Sequence, residues 1–370
     1  MLYGLKVIAF AFGAYSVYWI LLSAIRTFVV PRSENVFLTR LVFQTVFRLF
    51  QFKLGRCRSY AERDRLMAFF SPVSLLILPV VWLAGVALAY TLMYWAVGID
   101  SWYHAFWLSG SSLLTLGFAP VNSLAEMLLA FSEATLGLGL VALLIAYLPT
   151  MFTAFTERET AVTLLEVQAG NPPSAVEMIT RMQRIRGLDY LSEVWPTWEA
   201  WFVKLEQTHT SLIALVFFRS PHVGQSWVVA AGTILDTAAL TISVVDHPHD
   251  PHADLCIRAG YLALRSIVDF FALPHNPTPY PDDPISVSRA EFDSVCQRLE
   301  REGVPLKPDR DRAWRDFAGW RVNYDTVLRI LAGLTMAPEA PWSGDRPLLD
   351  VAPALFQRMH AKQHLPDIKV

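Results

Sequence analysis

The stretch SSLLTLGFAPVN, residues 111–122, is a short polar turn between two long apolar segments. It contains two serines, a threonine, a glycine and a proline, and it carries no charge. Irregular backbone at membrane depth is tolerated only where it lines a water-filled cavity or is buried in protein. The meaning of this stretch therefore depends on whether the segments on either side of it cross a membrane.

The composition of the chain favours a membrane protein. Of its 370 residues, 54% are hydrophobic and only 17% are charged, with a mean hydropathy of +0.35. A soluble domain usually has about a quarter of its residues charged. The formal net charge of −2 supplies no basic excess for nucleic acid, which is therefore not expected as a partner.

Three stretches are long and apolar enough to cross a bilayer, which requires roughly 20 residues. They are Leu5–Val30, Met67–Val97 and Leu124–Phe155, each with approximate ends. A fourth run, Trp227–Val245, is nearly long enough but has Asp236 at its centre. An acid at the centre of a spanning helix costs about 2.5–3.5 kcal/mol. We therefore favour a buried helix of a soluble domain over a fourth span.

Basic residues between the first two spans set the expected orientation. That segment contains eight basic and three acidic residues: Arg32, Arg40, Arg48, Lys53, Arg56, Arg58, Arg63 and Arg65 against Glu34, Glu62 and Asp64. Short loops rich in lysine and arginine remain in the cytoplasm. The N-terminus and residues 98–123 are then outside the cell, and the chain from Glu157 onward is inside.

The same basic segment has the pattern of an amphipathic helix. Polar residues recur every three or four positions and leave aromatic and aliphatic residues on the other side: Arg40, Gln44, Arg48 and Gln51 oppose Phe43, Val46, Phe47 and Phe50. Such a helix could lie on the inner membrane surface or pack on the cytoplasmic domain, and the sequence leaves both open.

The outer segment Ser101–Leu114, SWYHAFWLSGSSLL, is too short to cross a membrane and too apolar to lie in water. It predicts a half-helix, capped by Ser101, that enters the membrane and returns as extended chain. Such a re-entrant pore loop offers backbone carbonyls that can replace the hydration shell of a cation. The negative end of the half-helix would point towards the same cavity.

The motif TLGFAP, Thr115–Pro120, resembles the selectivity filter TVGYGD of the potassium channel family, and a half-helix bearing Phe106 and Trp107 precedes it. The following segment LLAFSEATLGLGLVALLIAYL is similar to the inner helix of bacterial two-helix channels, in which an acid is followed by glycines. The resemblance covers about residues 67–155.

The resemblance implies a homotetramer in which each chain contributes one pore loop. It implies a filter lined by Thr115, Leu116, Gly117, Phe118 and Ala119, supported by Trp107, Ser111, Ser112 and Glu133. Glu133 could alternatively be an interfacial acid near the outer headgroups. Gly137 and Gly139 could be a gating hinge or sites of close helix contact, and Pro149 should bend the helix or end it.

Three positions depart from the family pattern. Ala119 replaces the second filter glycine, Pro120 replaces the aspartate, and Leu114 stands where a threonine usually precedes the filter. The replaced glycine normally has a left-handed backbone, which would cost Ala119 about 1–2 kcal/mol. We therefore expect a cation pore with weak or altered selectivity, not a strictly potassium-selective one.

The remaining half of the chain predicts a helical cytoplasmic domain. Eight helical patterns are separated by segments rich in proline and glycine: Glu157–Gln168, Ser174–Arg186, Tyr190–Gln207, His209–Phe218, Ser226–Val245, Ala253–Phe271, Ser288–Arg301 and Arg312–Ala332. The sequence contains no GxGxxG, Walker or GxSxG motif, and no constellation for catalysis, so an enzyme is not expected.

Two polar motifs in this half have competing interpretations. DHPHDPHAD, Asp246–Asp254, places His247, His249 and His252 where they could bind a divalent metal, although a solvated loop is the favoured interpretation. WRVNYD, Trp320–Asp325, favours a buried arginine–aspartate network over a ligand site.

Together these patterns predict an all-α membrane protein with three transmembrane helices, a re-entrant pore loop and an all-α cytoplasmic domain. Its parts are an N-terminal span (1–31), an amphipathic linker (32–66), a pore domain (67–155) and the cytoplasmic domain (156–370). The expected function is a cation channel of the cell membrane, with the bilayer and monovalent cations such as K⁺ as partners and no other cofactor. The rival is a non-conducting membrane sensor or scaffold that acts through its cytoplasmic domain.

Overall fold

The computed structural model describes residues 2–28, 37–57 and 59–348. Across these residues the regular structure is helical, apart from one isolated antiparallel bridge between Val245 and Leu306. Two short 3₁₀ turns, Leu188–Tyr190 and Ile213–Phe217, join the α-helices. These are α1 (Leu2–Phe28), α2 (Phe37–Leu54), α3 (Tyr60–Ala68), α4 (Phe70–Val97), α5 (Trp102–Leu113), α6 (Leu124–Ala169), α7 (Ala175–Ile185), α8 (Leu191–Ser211), α9 (Trp227–Ser243), α10 (Pro251–Phe270), α11 (Arg289–Arg301), α12 (Arg310–Arg321) and α13 (Asp325–Thr335).

Three helical segments are long and apolar enough to cross a membrane, as the sequence predicts: Tyr3–Phe28, Tyr60–Val97 and Leu124–Ala169. The second joins α3 and α4. The third is a single helix of 46 residues, where the sequence suggested two. No proline or glycine follows Pro149 until Gly170, whose φ of +82° ends the helix. We expected Pro149 either to bend the helix or to end it. The helix does not end there, so that outcome is wrong.

The described chain divides into two compact units. Unit 1 comprises Met1–Thr156 with Ser211–Phe218, and unit 2 comprises Glu157–Thr210 with the chain from Arg219 onward. The boundary falls within α6. Arg32, Glu34 and Arg58 of the basic segment lie outside the described residues.

In unit 1, α1 packs closely along α4. A Cβ added at Gly13 would lie 2.7 Å from the carbonyl oxygen of Ala89, and one at Gly85 would lie 2.8 Å from Ile20 Cδ1. The indole Nε1 of buried Trp82 donates to Ser23 Oγ at 3.3 Å. Small residues let the two helices approach, and a buried hydrogen bond fixes their register.

The amphipathic helix α2 packs within unit 1. The rings of Phe43, Phe47 and Phe50 lie 5.5–6.0 Å from the ring of Phe70, at the start of α4. Phe217 lies on the other side of the same ring at 5.7 Å, and Ser71 Oγ donates to the carbonyl of Ala214. Ala214 and Phe217 lie in the 3₁₀ turn Ile213–Phe217. The α-helix predicted for His209–Phe218 is therefore wrong beyond Ser211.

Helix α9 is the core of unit 2, and nearly every residue of it is buried. The guanidinium of buried Arg321 donates to the Asp236 carboxylate and, at 2.9 Å, to Asp325. The hydroxyl of Tyr324 donates to Asp236 at 2.9 Å. The acid in this apolar helix thus has buried partners, which confirms the predicted arginine–aspartate network and the interpretation of α9 as a core helix.

Candidate functional site

The candidate site is the segment between α4 and α6. Helix α5 begins after Ser101, whose side chain accepts a hydrogen bond from the amide of His104. This confirms the predicted cap. The indole of Trp102 stacks on that of Trp95 at 5.1 Å, so the start of α5 is held against the end of α4. The helix ends at Leu113, after 12 residues, too few to cross a bilayer.

Ser111 holds the loop that follows α5. Its carbonyl oxygen accepts hydrogen bonds from the amides of Leu116 (2.8 Å) and Gly117 (3.3 Å). Its hydroxyl accepts a third bond, from the amide of Ala119 at 3.1 Å. Ser112 accepts from the amide of Thr115 at 3.0 Å. The two serines therefore hold the predicted filter by accepting hydrogen bonds from the backbone amides of four of its residues.

The carbonyl oxygens of this loop have no such partners. Among the described residues, no hydrogen bond ends on the carbonyls of Thr115, Leu116, Gly117 or Phe118. Backbone carbonyls are strong acceptors that normally find a donor, water or a ligand. Ser111 and Ser112 thus bind four of the five amides of residues 115–119, while the carbonyls of residues 115–118 are available as acceptors.

The left-handed backbone lies at Thr115 (φ 54°) and Gly117 (φ 71°). Ala119 does not have a positive φ, so the strain expected at this position is wrong. The amide of Ala119 donates to Ser111 Oγ at 3.1 Å. The ring of Phe118 lies 5.6 Å from that of Trp107 on α5, which gives Trp107 a direct contact with the loop.

Glu133 of α6 joins three helices. Its side chain is buried, and its carboxylate accepts hydrogen bonds from Ser109 Oγ on α5 at 2.5 Å and from the Tyr94 hydroxyl on α4 at 3.0 Å. The alternative for Glu133 was an interfacial acid near the outer headgroups. A buried carboxylate that accepts two hydrogen bonds from protein does not have the exposure that this alternative requires. Sequence reasoning missed Tyr94 and Ser109, although each is a polar residue in an apolar helix, which is the available signal.

The two glycines of α6 have different surroundings. A Cβ added to Gly137 would lie 2.2 Å from the carbonyl oxygen of Leu113, the last residue of α5. A Cβ added to Gly139 would meet nothing within 4 Å. Gly137 is therefore a site of close helix approach, and the contacts around Gly139 do not require a glycine.

Of the three histidines considered for a metal, His247 and His249 lie in the segment before α10 and His252 lies in its first turn, but the structure does not bring them together. His247 Nε2 contacts Asp189 at 2.8 Å, and His249 Nε2 contacts Asp254 at 3.0 Å. Within residues 2–28, 37–57 and 59–348, no group of three His, Cys, Asp or Glu side chains could hold a metal ion.

Comparison with known proteins does not identify a relative. No protein-family model, curated protein or solved structure matches the chain.

Proposed function

We propose that the protein is a membrane cation channel with a potassium-channel-like pore loop. The observation that supports it best is the loop at residues 115–119. Ser111 and Ser112 of α5 bind four of its five amides, and no donor within the described part of the chain reaches the carbonyls of residues 115–118. Carbonyl rings of this kind replace the hydration shell of a cation. One loop supplies one quarter of such a ring, so the proposal includes a homotetramer.

In this proposal each residue near the loop has a defined role. Thr115, Leu116, Gly117, Phe118 and Ala119 line the filter, and Ser111, Ser112 and Trp107 hold it on α5. Glu133 positions α5 against α4 and α6 through its two hydrogen bonds. The protein resides in the cell membrane with residues 98–123 outside and unit 2 in the cytoplasm, where unit 2 assembles or gates the pore.

Potassium and sodium flux into liposomes that contain the purified full chain tests the function. The wild-type protein should conduct, and Gly117→Pro should abolish conduction. Proline requires φ near −65° and removes the amide hydrogen that donates to Ser111, whereas Gly117 has φ +71°. The matched control is Gly303→Pro, because Gly303 also has a positive φ and an amide that donates in a turn, but lies in unit 2.

The outcomes separate the proposed channel from its alternatives. Equal conduction by wild type and Gly117→Pro would mean that the ion passes elsewhere. A wild-type protein that does not conduct would favour the non-conducting scaffold.

Selectivity provides a second test. Pro120→Asp combined with Ala119→Gly restores an acid at the mouth of the filter, and the ratio of potassium to sodium flux should rise. Because Ala119 is not strained, we expect the acid to cause most of the effect. Pro120→Asp alone should therefore reproduce most of it.

A further inference from the structure

Helix α2 has two apolar faces, and the described residues cover only one of them. Its buried residues include Val42, Phe43, Val46 and Phe47, which point towards the start of α4. On the opposite side, Phe37, Leu41, Leu49 and Phe52 are 68%, 44%, 60% and 77% exposed. Thr45 and Arg48 lie on the same side, and Lys53 and Arg56 are exposed in the last turn of α2 and the turn that follows it. We call all of these residues the outer face of α2.

The outer face is basic as well as apolar. Residues 37–57 contain four basic side chains and no acid. Arg48, Lys53 and Arg56 are exposed, and none of the three forms an ion pair within the described part of the chain. A face that combines apolar side chains with uncompensated positive charge is complementary to an anionic surface that has an apolar layer beneath it.

The position of α2 in unit 1 places this face beside the end of α1 and the start of α4. Thr39, at the start of α2, shares a hydrogen bond of 2.8 Å with Thr27 at the end of α1. Phe47 contacts Phe70 at the start of α4. The helix thus contacts the end of α1 and the start of α4, which belong to two candidate spans. Where α1 and α4 cross a bilayer, these ends are the region in which acyl chains give way to headgroups.

We propose that the outer face of α2 binds anionic phospholipid headgroups of the leaflet in which α1 ends and α4 begins. The apolar side chains enter the acyl boundary, and Arg48, Lys53 and Arg56 contact the lipid phosphates. Each basic residue near an anionic surface changes the binding equilibrium by about fivefold. This inference does not depend on conduction through the pore.

An environment-sensitive fluorophore on the outer face tests the proposal in the full chain. Thr45→Cys provides the attachment point in a Cys57→Ser background, since Cys256 and Cys296 are buried. The labelled protein is placed in nanodiscs of phosphatidylcholine alone or with phosphatidylglycerol. We expect quenching by acrylamide, an uncharged quencher, to fall severalfold when phosphatidylglycerol is present, and about 0.5 M salt to reverse much of this change by screening the charges.

Charge-removal variants complete the test. Substitution of Arg48, Lys53 and Arg56 by Gln should restore quenching in the anionic nanodiscs. Substitution of Arg258, Arg301 and Arg315 by Gln removes the same charge from exposed positions of unit 2 and should leave the protection intact. Three results would overturn the proposal. The fluorophore could be protected from the quencher equally in both lipids, it could lose this protection equally in both triple variants, or it could keep its protection in the α2 triple variant. Retention would point to a protein occupant of this face.

Discussion

The carboxylate of Glu133 accepts hydrogen bonds from two buried hydroxyls. Its removal leaves the Tyr94 hydroxyl without this acceptor, whereas Ser109 Oγ keeps the carbonyl of Ala87 at 3.0 Å. A buried group that loses its partner costs about 1–3 kcal/mol. We expect Glu133→Ala to lower the free energy of unfolding by at least that amount, measured by the loss of helicity on denaturation in detergent. The control is Glu157→Ala, an exposed acid of the same helix, which should cost at most about 0.5 kcal/mol. Equal losses would contradict this role of Glu133.

Asp236 is a buried acid in the core of unit 2, paired with Arg321 and Tyr324. Asp236→Ala leaves Arg321 buried with one of its two acidic partners removed. The loss of one partner from a buried ion pair costs about 3–5 kcal/mol. We expect this loss in urea unfolding of the full chain. Asp293→Ala removes the acid from an exposed pair with Arg289 and should cost less than about 1 kcal/mol. A similar cost for both variants would show that burial does not determine the effect.

His209 makes the stability of unit 2 dependent on pH. Burial, with a smaller effect of the nearby Arg158 guanidinium at 3.2 Å, lowers the pKa of His209 well below 6.5. The imidazole also faces Thr208 and the ring of Trp227. Because the unfolded chain binds a proton below pH 6.5 and the folded chain does not, this stability is present above pH 6.5 and is lost as pH falls towards the folded pKa.

We therefore expect the urea concentration at the midpoint of unfolding of the wild-type protein to decrease as the pH is lowered from 7 to 5. His209→Gln should be less stable at pH 7 and should lack this component of the pH dependence. His249→Gln, at an exposed histidine, should retain the wild-type slope. An unchanged slope in His209→Gln would assign the dependence to another group.

At the scale of elements, Gly137 and Gly139 of α6 form a matched pair of substitutions. Alanine at position 137 would place a Cβ against the Leu113 carbonyl and push the end of α5 away from α6. Alanine at position 139 meets open space and should stabilise the helix by about 0.5–1 kcal/mol. We expect Gly137→Ala to destabilise the detergent-solubilised protein and to reduce any cation flux. If Gly139→Ala were the more damaging variant, Gly139 would be the better candidate for a hinge.

The elements differ in how far the sequence predicts them. The three spans and the cap at Ser101 follow from apolar length and from a serine before a helical run. The break between α12 and α13 was missed because no proline or glycine marks residues 322–324. The partners of Glu133 were missed because Tyr94 and Ser109 are 39 and 24 residues away in the chain. Local signals predict elements, whereas contacts between elements require the fold.

At the scale of the whole molecule, the distribution of charge predicts which side of the membrane each unit occupies. Three exposed tyrosines provide matched positions for cysteine substitution: Tyr3, Tyr103 and Tyr280, with exposures of 83%, 72% and 75%. In a Cys57→Ser background, Tyr3→Cys and Tyr103→Cys should react with an impermeant maleimide on intact cells, because the basic segment between α1 and α4 should be cytoplasmic. Tyr280→Cys should react only after permeabilisation, which also shows that the site is reactive. Labelling of Tyr280→Cys in intact cells would reverse the orientation and would place the loop at residues 114–120 on the cytoplasmic side.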